Sequence, residues 1–302
     1  MIPSFVQRPN RHPWFTLFFL LLHVVFHAGC RSAPEPVPDP LLLQRAQEQS
    51  ERARQYAGRE QWPAAASAWS EAVTSYALLN RRAEEASALH HHAVALRHAG
   101  QFEAAHAAAE KASALNTSLG DDDGWWRNQV LLLQIDASWN RLDEVAARMT
   151  LLKDQQARIQ SPATRALFLN ELGLWQLKHE SVPDAMGTFQ RAVEDFWRAH
   201  EDLGMATALA NRARAYEANR DMAAAERDWV ASLQIFMQQG DARGIATAML
   251  GQGRTLFLQD KSPEEARELA RRAADNFQRM NDRAGETEAR QWLEKMGEAG
   301  AK

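Results

Sequence analysis

The histidines are the first residues whose type and spacing suggest chemistry. Three of them stand in a row at positions 90–92, and others follow at positions 98 and 106. Imidazole is a common zinc ligand, but consecutive helical residues point about 100° apart, so within one helix only His91 and His98 share a face. The zinc-binding pattern HExxH is also missing. We interpret the cluster as surface and interhelix histidines, and we predict no metal and no cofactor.

Other patterns of catalytic and ligand-binding sites are missing too. The sequence contains no GxSxG, no SxxK and no phosphate-binding lysine loop. The stretch GQGRTL from position 251 lies within a predicted helix and lacks the third glycine of a phosphate loop. The stretch DDDG from position 121 lacks the alternating spacing of a calcium loop and supplies acids to a helix N-terminus. The sequence therefore predicts a protein that is not an enzyme, and an envelope enzyme with an unrecognised site is the remote alternative.

The first 29 residues are predicted to be an export signal. Arg8 and Arg11 precede an apolar segment at positions 14–29, which is too short for a hydrocarbon core that takes about 20 helical residues. The only cysteine, Cys30, follows this segment, and Ala28-Gly29-Cys30 resembles the bacterial lipoprotein box. That resemblance implies that the signal is removed and that Cys30 is acylated. An uncleaved signal anchor with an incidental cysteine is the alternative.

The residues after Cys30 predict a tether and a location. Prolines at every second position from 34 to 40 favour an extended backbone of about 3.1 Å per residue, so residues 30–40 form a stalk of roughly 30 Å. By resemblance to the lipoprotein sorting pattern, Arg31 favours the outer membrane over the inner membrane. The protein is therefore expected to be exported and held at the periplasmic face of the outer membrane by its N-terminal lipid.

Charge and cysteine content exclude several classes of protein. The formal net charge is -4, and residues 1–29 contain two arginines and no acid, so the remainder carries 33 basic and 39 acidic residues. A mildly acidic chain with no basic block does not predict nucleic-acid binding. One cysteine excludes an internal disulfide framework and a thiolate zinc cluster.

The remaining sequence repeats with a period of 40 residues. One column of small or aliphatic residues has spacings of 40, 40, 40, 40 and 41: it consists of Ala65, Ala105, Val145, Ala185, Ala225 and Ala266. Four residues later a mostly larger column follows: Trp69, Ala109, Met149, Phe189, Trp229 and Ala270. These spacings place both columns on one face of a helix.

A second helix is predicted before each of these helices. Its column of mostly small residues is Ala53, Ala93, Leu133, Gly173, Ala213 and Gly253. Small residues on facing helices allow close antiparallel packing. Pro63, Pro162, Pro183 and Pro263 stand where helices should begin, where the missing N–H group is tolerated. Trp125 and Trp126 are interpreted as packing between the second and third repeats, with a binding hot spot as the alternative.

This pattern resembles the tetratricopeptide repeat in a variant of about 40 residues. The resemblance implies an all-α fold: a right-handed helical-hairpin solenoid of about six repeats at 41–80, 81–120, 121–160, 161–200, 201–240 and 241–281. A capping helix at 284–296 closes the solenoid of residues 41–296, and residues 297–302 form a tail. A generic alanine-rich helical bundle is the alternative, but it does not predict a constant period.

The resemblance also implies a concave groove that binds segments of partner proteins. The groove-lining columns predict partner-binding residues that are mostly basic: Arg54, His90, Arg97, Arg127, Asn170, Lys178, Arg214, Arg254 and Arg290. Val94, Leu174, Glu217 and Phe257 belong to the same columns. We expect the groove to bind an acidic or carboxylate-bearing segment, with Arg54, Arg214 and Arg254 as a row of donors. The alternative is that these arginines are solvated residues on a helix face and bind no partner.

The sequence thus predicts a lipid-anchored scaffold or adaptor that binds other envelope proteins. A peptide- or ligand-sensing repeat protein is the second candidate. The sequence predicts neither the partner nor the oligomeric state.

Overall fold

A computed structural model describes residues 40–179 and 181–300, and in this part of the chain every regular element is helical. The predicted export signal, Cys30 and most of the tether lie outside the described residues. The α-helices are α1 (Pro40–Gly58), α2 (Trp62–Leu78), α3 (Arg82–His98), α4 (Phe102–Leu119), α5 (Asp122–Ser138), α6 (Leu142–Lys153), α7 (Pro162–His179), α8 (Val182–Arg198), α9 (Asp202–Ala218), α10 (Met222–Gln239), α11 (Ala242–Leu258), α12 (Pro263–Arg279) and α13 (Arg283–Gly300). Among the described residues, no helix combines the length and the apolar character that crossing a membrane requires.

The helices form six hairpins and a final single helix. The first hairpin is α1 with α2, the second α3 with α4, the third α5 with α6, the fourth α7 with α8, the fifth α9 with α10 and the sixth α11 with α12. Each hairpin packs against the next, and α13 packs against the sixth. The predicted all-α solenoid of six helical hairpins with a closing helix is therefore confirmed.

Left-handed backbone residues end most helices at intervals of about 20 residues. Their φ angles lie between 53° and 75°, and they are Glu60, Asn80, Gly100, Gly120, Asn140, His200, Arg220, Gly240, Asp260 and Asn281. The N–H group of the residue after each one donates a hydrogen bond to a carbonyl in the last turn of the helix, as Gln101 does to Leu96 at 2.9 Å. This arrangement satisfies carbonyls that a helix end leaves unpaired, so the hairpin turns are uniform.

Helix starts also follow the sequence signals. Asp121 accepts a hydrogen bond from the Gly124 N–H group at 2.9 Å, so the acids at 121 cap a helix as predicted. Asp241 and Gly244 repeat this contact at 2.9 Å. All four prolines predicted to begin helices lie within the first two residues of α2, α7, α8 and α12.

The third hairpin departs from the period. Helix α6 ends at Lys153, and a short 3-10 helix (Gln156–Arg158) follows. Ile159 is extended and buried at 4% exposure. Pro162 then begins α7, and proline disfavours helical backbone in the residue before it. The chain therefore fills this part of the core with Ile159 in place of a last helical turn.

The predicted small-residue columns form the core. Ala65, Ala105, Ala185, Ala225 and Ala266 are all fully buried. The small-residue column of the first helices, which ends at Gly253, lets the two helices of a hairpin approach closely. A Cβ atom at Gly253 would lie 2.8 Å from the carbonyl oxygen of Ala266, so glycine leaves room for the partner helix. Large residues fill the remaining space, and Trp229 and Phe189 are both fully buried. The core therefore runs along the solenoid instead of around one centre.

A charged cluster interrupts this core in the third hairpin. Asp136 is fully buried, and its carboxylate lies 3.5 Å from His106 Nε2, 3.5 Å from Arg141 Nη1 and 3.6 Å from Arg148 Nε. Burial raises the pKa of Asp136, although His106 and the two arginines act in the opposite direction. The desolvation of the carboxylate therefore outweighs its attraction to these cations.

Candidate partner-binding groove

The first helices of the hairpins form one continuous face of the solenoid. Helix α3 contacts α5, which contacts α7, and the series continues through α9 and α11 to α13. We call this face, together with α1, the groove. Residues of these helices line three cavities, named here the N-terminal, central and C-terminal cavities, with volumes of about 50, 500 and 260 Å³.

The cavities contain six of the nine predicted partner-binding residues. His90 and Arg127 line the N-terminal cavity, Arg97 and Asn170 the central cavity, and Arg214 and Arg254 the C-terminal cavity. The other three are exposed and line none of these cavities: they are Arg54, Lys178 and Arg290. The predicted columns therefore reach the groove, but they do not form a single site.

The three arginines of one column lie in different surroundings. Arg54 is exposed and binds Glu51 of its own helix at 3.1 Å. Arg254 is only 14% exposed, and its Nη2 atom lies 2.6 Å from Glu217 Oε2. Within the described part of the chain, no carboxylate lies within 4.0 Å of Arg214. The structure therefore does not present the predicted row of three equivalent donors, because two of them are already paired with carboxylates.

Arg214 occupies the floor of the C-terminal cavity. Its Nη1 atom donates to Asn211 Oδ1 at 2.7 Å, and its guanidinium lies 5.6 Å from the ring centre of Trp229. Burial, followed by the nearby Arg254, lowers the pKa of Arg214, although solvent still reaches its side chain along the groove. Arginine remains protonated under such conditions. Arg214 is thus a fixed cation with donors left for a ligand.

The central cavity contains an enclosed carboxylate. Glu171 Oε1 accepts a hydrogen bond from Gln134 Nε2 at 2.9 Å. Burial raises the pKa of Glu171, while the hydrogen bond from Gln134 and the charge of Arg97 oppose this shift. Solvent reaches Glu171 to an intermediate extent, because the cavity opens into the groove. Leu167 and Leu174 supply apolar walls.

A chain of hydrogen bonds connects the central and C-terminal cavities. Asn211 Nδ2 donates to Asn170 Oδ1 at 2.9 Å, and Asn211 Oδ1 accepts from Arg214. Both asparagines are buried. The floor of the groove is therefore polar and held in place across the fourth and fifth hairpins.

The histidines lie at the other end of the groove and serve packing. His90 Nδ1 lies 2.9 Å from Asn128 Oδ1. The His91 ring stacks on Trp69 with ring centres 4.9 Å apart, and the His98 ring stacks on Trp62 at 4.1 Å. Within the described part of the chain, no three histidine, cysteine or acidic side chains are grouped in a way that could hold a metal ion.

A fourth cavity, of about 430 Å³, is lined by the 3-10 helix, α7 and α8. Its Arg165 and Arg198 both bind Asp195, at 2.6 and 2.8 Å. Arg198 also lies 3.6 Å from Glu194, so both arginines are paired with carboxylates. The groove therefore remains the better candidate for binding.

Several groove residues were missed by the sequence pattern. Glu171 follows the predicted groove residue Asn170, and Asn211 follows Ala210, which stands one period after Asn170. The pattern missed both because the inner face of a helix is wider than one column. Trp229 was assigned only to the core, although its ring also lies beneath Arg214. The prediction for Trp126 was wrong in detail. Its ring packs at 5.6 Å against Phe168 of α7, which places the contact between the third and fourth hairpins.

Similarity to solved structures defines the class of fold. BtubC (BKLC) from P. vanneervenii matches with a TM-score of 0.55 and 18% identity, over 80% of this chain and 93% of that chain. A Rap protein complexed with Competence and Sporulation Factor matches with a TM-score of 0.59 and 11% identity, over 85% of this chain and 76% of that one.

A third structure carries the name of the repeat. A Signal Transduction ATPase with Numerous Domains from Pyrococcus horikoshii, with a tetratricopeptide repeat sensor, matches with a TM-score of 0.55 and 14% identity, over 85% of this chain and 43% of that one. Comparisons with protein families and with curated proteins find no match. At these identities the similarity shows the fold alone: the chain is a solenoid of the tetratricopeptide type.

Proposed function

We propose that this protein is a non-enzymatic scaffold that binds segments of partner proteins in its groove. The observation that carries the proposal is the central cavity of about 500 Å³, which opens along the first helices and has a polar floor between apolar walls. A groove of this kind suits an extended segment, because main-chain and polar groups find fixed partners while side chains find apolar contacts.

We further propose that the scaffold is held at a membrane by a lipid on Cys30. The support comes from the sequence: a short apolar segment ends in Ala28-Gly29-Cys30, and a proline-rich stalk follows. Acyl chains contribute about 0.8 kcal/mol per buried CH₂ group, so several of them would anchor the protein durably. With Arg31 after the cysteine, the proposed location is the periplasmic face of the outer membrane, and the proposed partners are other envelope proteins.

Photocrosslinking in intact cells tests groove binding. A photoreactive amino acid replaces Thr207, which is exposed and lines the central cavity. The matched control replaces Gly187 on α8, where a Cβ atom would meet open space. We expect crosslinked partner bands from position 207 that position 187 does not give. Identical bands from both positions, or bands from position 187 alone, would contradict binding in the groove.

Cell fractionation tests the anchor separately. In the Cys30→Ala variant the acceptor thiol is absent, so the protein should move from the membrane fraction to the soluble fraction. A variant that loses residues 1–29 and still stays in the membrane fraction contradicts the lipid anchor, whereas an unchanged protein that keeps residues 1–29 supports an uncleaved signal anchor. This result does not depend on whether the groove binds partners.

A further inference from the structure

Most charged side chains of the groove are already paired with an opposite charge. The pairs are Arg54–Glu51, Arg127–Asp123, Arg243–Asp282, Arg254–Glu217 and Arg290–Glu286. Three side chains that line the central and C-terminal cavities differ: Arg97, Glu171 and Arg214. Among the described residues, none of these three has an opposite charge within 4.0 Å. They are the charges that these two cavities leave for a ligand.

Glu171 and Arg97 face the same cavity without forming an ion pair. Glu171 has a neutral partner, Gln134, at 2.9 Å. The Nε atom of Arg97 is buried and has no hydrogen-bond partner, and its Nη2 atom lies 3.0 Å from His98 Nε2. Enclosed charges are costly unless they are paired. Both residues therefore lack the partners that such an enclosed position requires.

The three unpaired charges alternate in sign along the groove. Arg97 belongs to the second hairpin, Glu171 to the fourth and Arg214 to the fifth. Their order is positive, negative, positive. Electrostatic complementarity selects partners by such patterns. A uniformly acidic segment would satisfy the two arginines but would bring like charge to Glu171, so it would not suit this groove.

We propose that the groove binds a peptide segment in which a lysine or arginine is flanked on both sides by acidic residues. This inference rests on the proposed binding of partner segments in the groove. The basic side chain enters the central cavity and binds the Glu171 carboxylate. Its methylene groups pack on Leu167, Leu174 and Leu203, which line that cavity.

The flanking acids bind the two arginines. One carboxylate accepts from the guanidinium of Arg97, which lines the central cavity, and the other accepts from Arg214, which lines the C-terminal cavity. Neighbouring helices lie about 8–10 Å apart, and an extended peptide rises about 3.3 Å per residue. The acid that meets Arg214 is therefore expected about three residues from the base that meets Glu171.

A random peptide display library tests the charge pattern. The full chain, purified in detergent, is used to select peptides from the library, and the charge at each enriched position is read by sequencing. We expect a basic position with one acid about three residues away, on the side that meets Arg214, and a second acid on the other side. Peptides selected with the Glu171→Lys variant should carry an acidic residue at the position that is basic in peptides selected with the unchanged protein. Enrichment without a basic position, or an unchanged pattern in this variant, overturns the proposal.

A double-mutant cycle gives a quantitative test with milder changes. The Glu171→Gln variant keeps the size and most hydrogen bonds of the side chain, and circular dichroism and thermal unfolding check its fold. It should bind the best enriched peptide roughly 10- to 100-fold more weakly, as expected for a lost charge-assisted hydrogen bond. The same peptide with methionine in place of its basic residue should bind both proteins equally.

Controls separate this inference from the proposed function. Glu265→Gln makes the same change at an exposed site on α12 and should leave peptide affinity unchanged. An equal loss in Glu171→Gln for the lysine and methionine peptides would overturn the role of Glu171. If partners crosslink from position 207 but the selected peptides have another charge pattern, the proposed pattern is overturned and binding in the groove is still supported. No enriched peptide and no crosslinked partner would overturn both.

Discussion

The last three hairpins and the first three hairpins join their neighbours with different side chains. At the end of the fourth, fifth and sixth hairpins, a phenylalanine of the second helix packs on a glycine in the first turn of the next helix. These pairs are Phe196–Gly204, Phe236–Gly244 and Phe277–Gly285. At the end of the second hairpin, Asn116 packs on Gly124 in the same way. The same backbone junction is thus apolar at the end of the last three hairpins and polar at the end of the second.

Other contacts extend this difference. The first half stacks histidines on tryptophans and buries the Asp136 cluster. In the second half, Trp229 is fully buried against Gly251, and Phe189 against Gly173. The stability of a solenoid is approximately a sum over repeats and their interfaces. The comparison therefore teaches that one repeat period can be built with interfaces of different chemistry, and we expect the stronger ones in the last three hairpins.

The largest expected effect comes from removing a phenylalanine at a junction. Phe236 is 4% exposed, so Phe236→Ala removes buried apolar surface and leaves a cavity, which should lower the free energy of unfolding by roughly 3–5 kcal/mol. Asn116→Ala changes the equivalent residue in the first half and should have less than half this effect. Urea unfolding of the two variants measures the difference, and equal losses would remove the distinction between the halves.

The glycine of the same junction gives the next largest effect. In Gly244→Ala the added Cβ atom would lie 2.3 Å from the Phe236 ring, so the ring or helix must shift. Overpacking of this kind lowers the free energy of unfolding by about 1–3 kcal/mol.

Gly187→Ala is the matched control for the glycine prediction. Position 187 lies in a helix and faces open space, so alanine should raise the free energy of unfolding by about 0.5–1 kcal/mol. The two changes should therefore have opposite signs in thermal or urea unfolding. The same sign in both would show that helix propensity, not the junction, determines the result.

The buried acid of the first half should matter less. Asp136→Asn removes a charge that burial disfavours, and Arg141 keeps its ion pair with Glu144 at 2.6 Å. We expect a change in the free energy of unfolding of at most about 1 kcal/mol, because burial disfavours the charge of Asp136 and because the cations left behind are partly exposed to solvent. A loss of 3 kcal/mol or more would place the Asp136 cluster among the main supports of the first half.

The smallest effect depends on pH and belongs to the stacked His91 and His98, because solvent still reaches both side chains and screens their charge. Burial and the neighbouring His90 lower the pKa of His91 from 6.5 to about 4, and burial and Arg97 do the same for His98. The folded state thus favours the neutral rings. Their contribution to stability is complete above pH 6.5 and is lost as the pH falls towards 4.

A double variant isolates this contribution. Replacing His91 and His98 by asparagine should make the decrease in stability between pH 6.5 and 4 shallower than in the unchanged protein. Urea unfolding midpoints at pH 7 and pH 4.5 measure it. An identical decrease in both proteins would assign the pH dependence to the carboxylates instead.

The fold was largely predictable because its signals are local and repeated. Small residues at Ala65, Ala105 and Ala185 mark the helix contacts, and Pro63 marks a helix start. The early end of α6 was not predictable from the period, because Ile159 replaces a helical turn only when the neighbouring hairpin is present to bury it. The groove face was predictable, but the paired state of Arg254 was not.

The sequence by itself determined the period, the number of hairpins, the helix starts and the columns that form the groove. These properties follow from turn chemistry and from side-chain size within about 40 residues of chain. Only the tertiary structure decided which charges remain available. Arg54, Arg214 and Arg254 are equivalent in sequence, but whether each meets a carboxylate depends on side chains such as Glu217, in the neighbouring hairpin. Electrostatic pairing acts through space between hairpins, and it left Arg97, Glu171 and Arg214 as the unpaired charges of the central and C-terminal cavities.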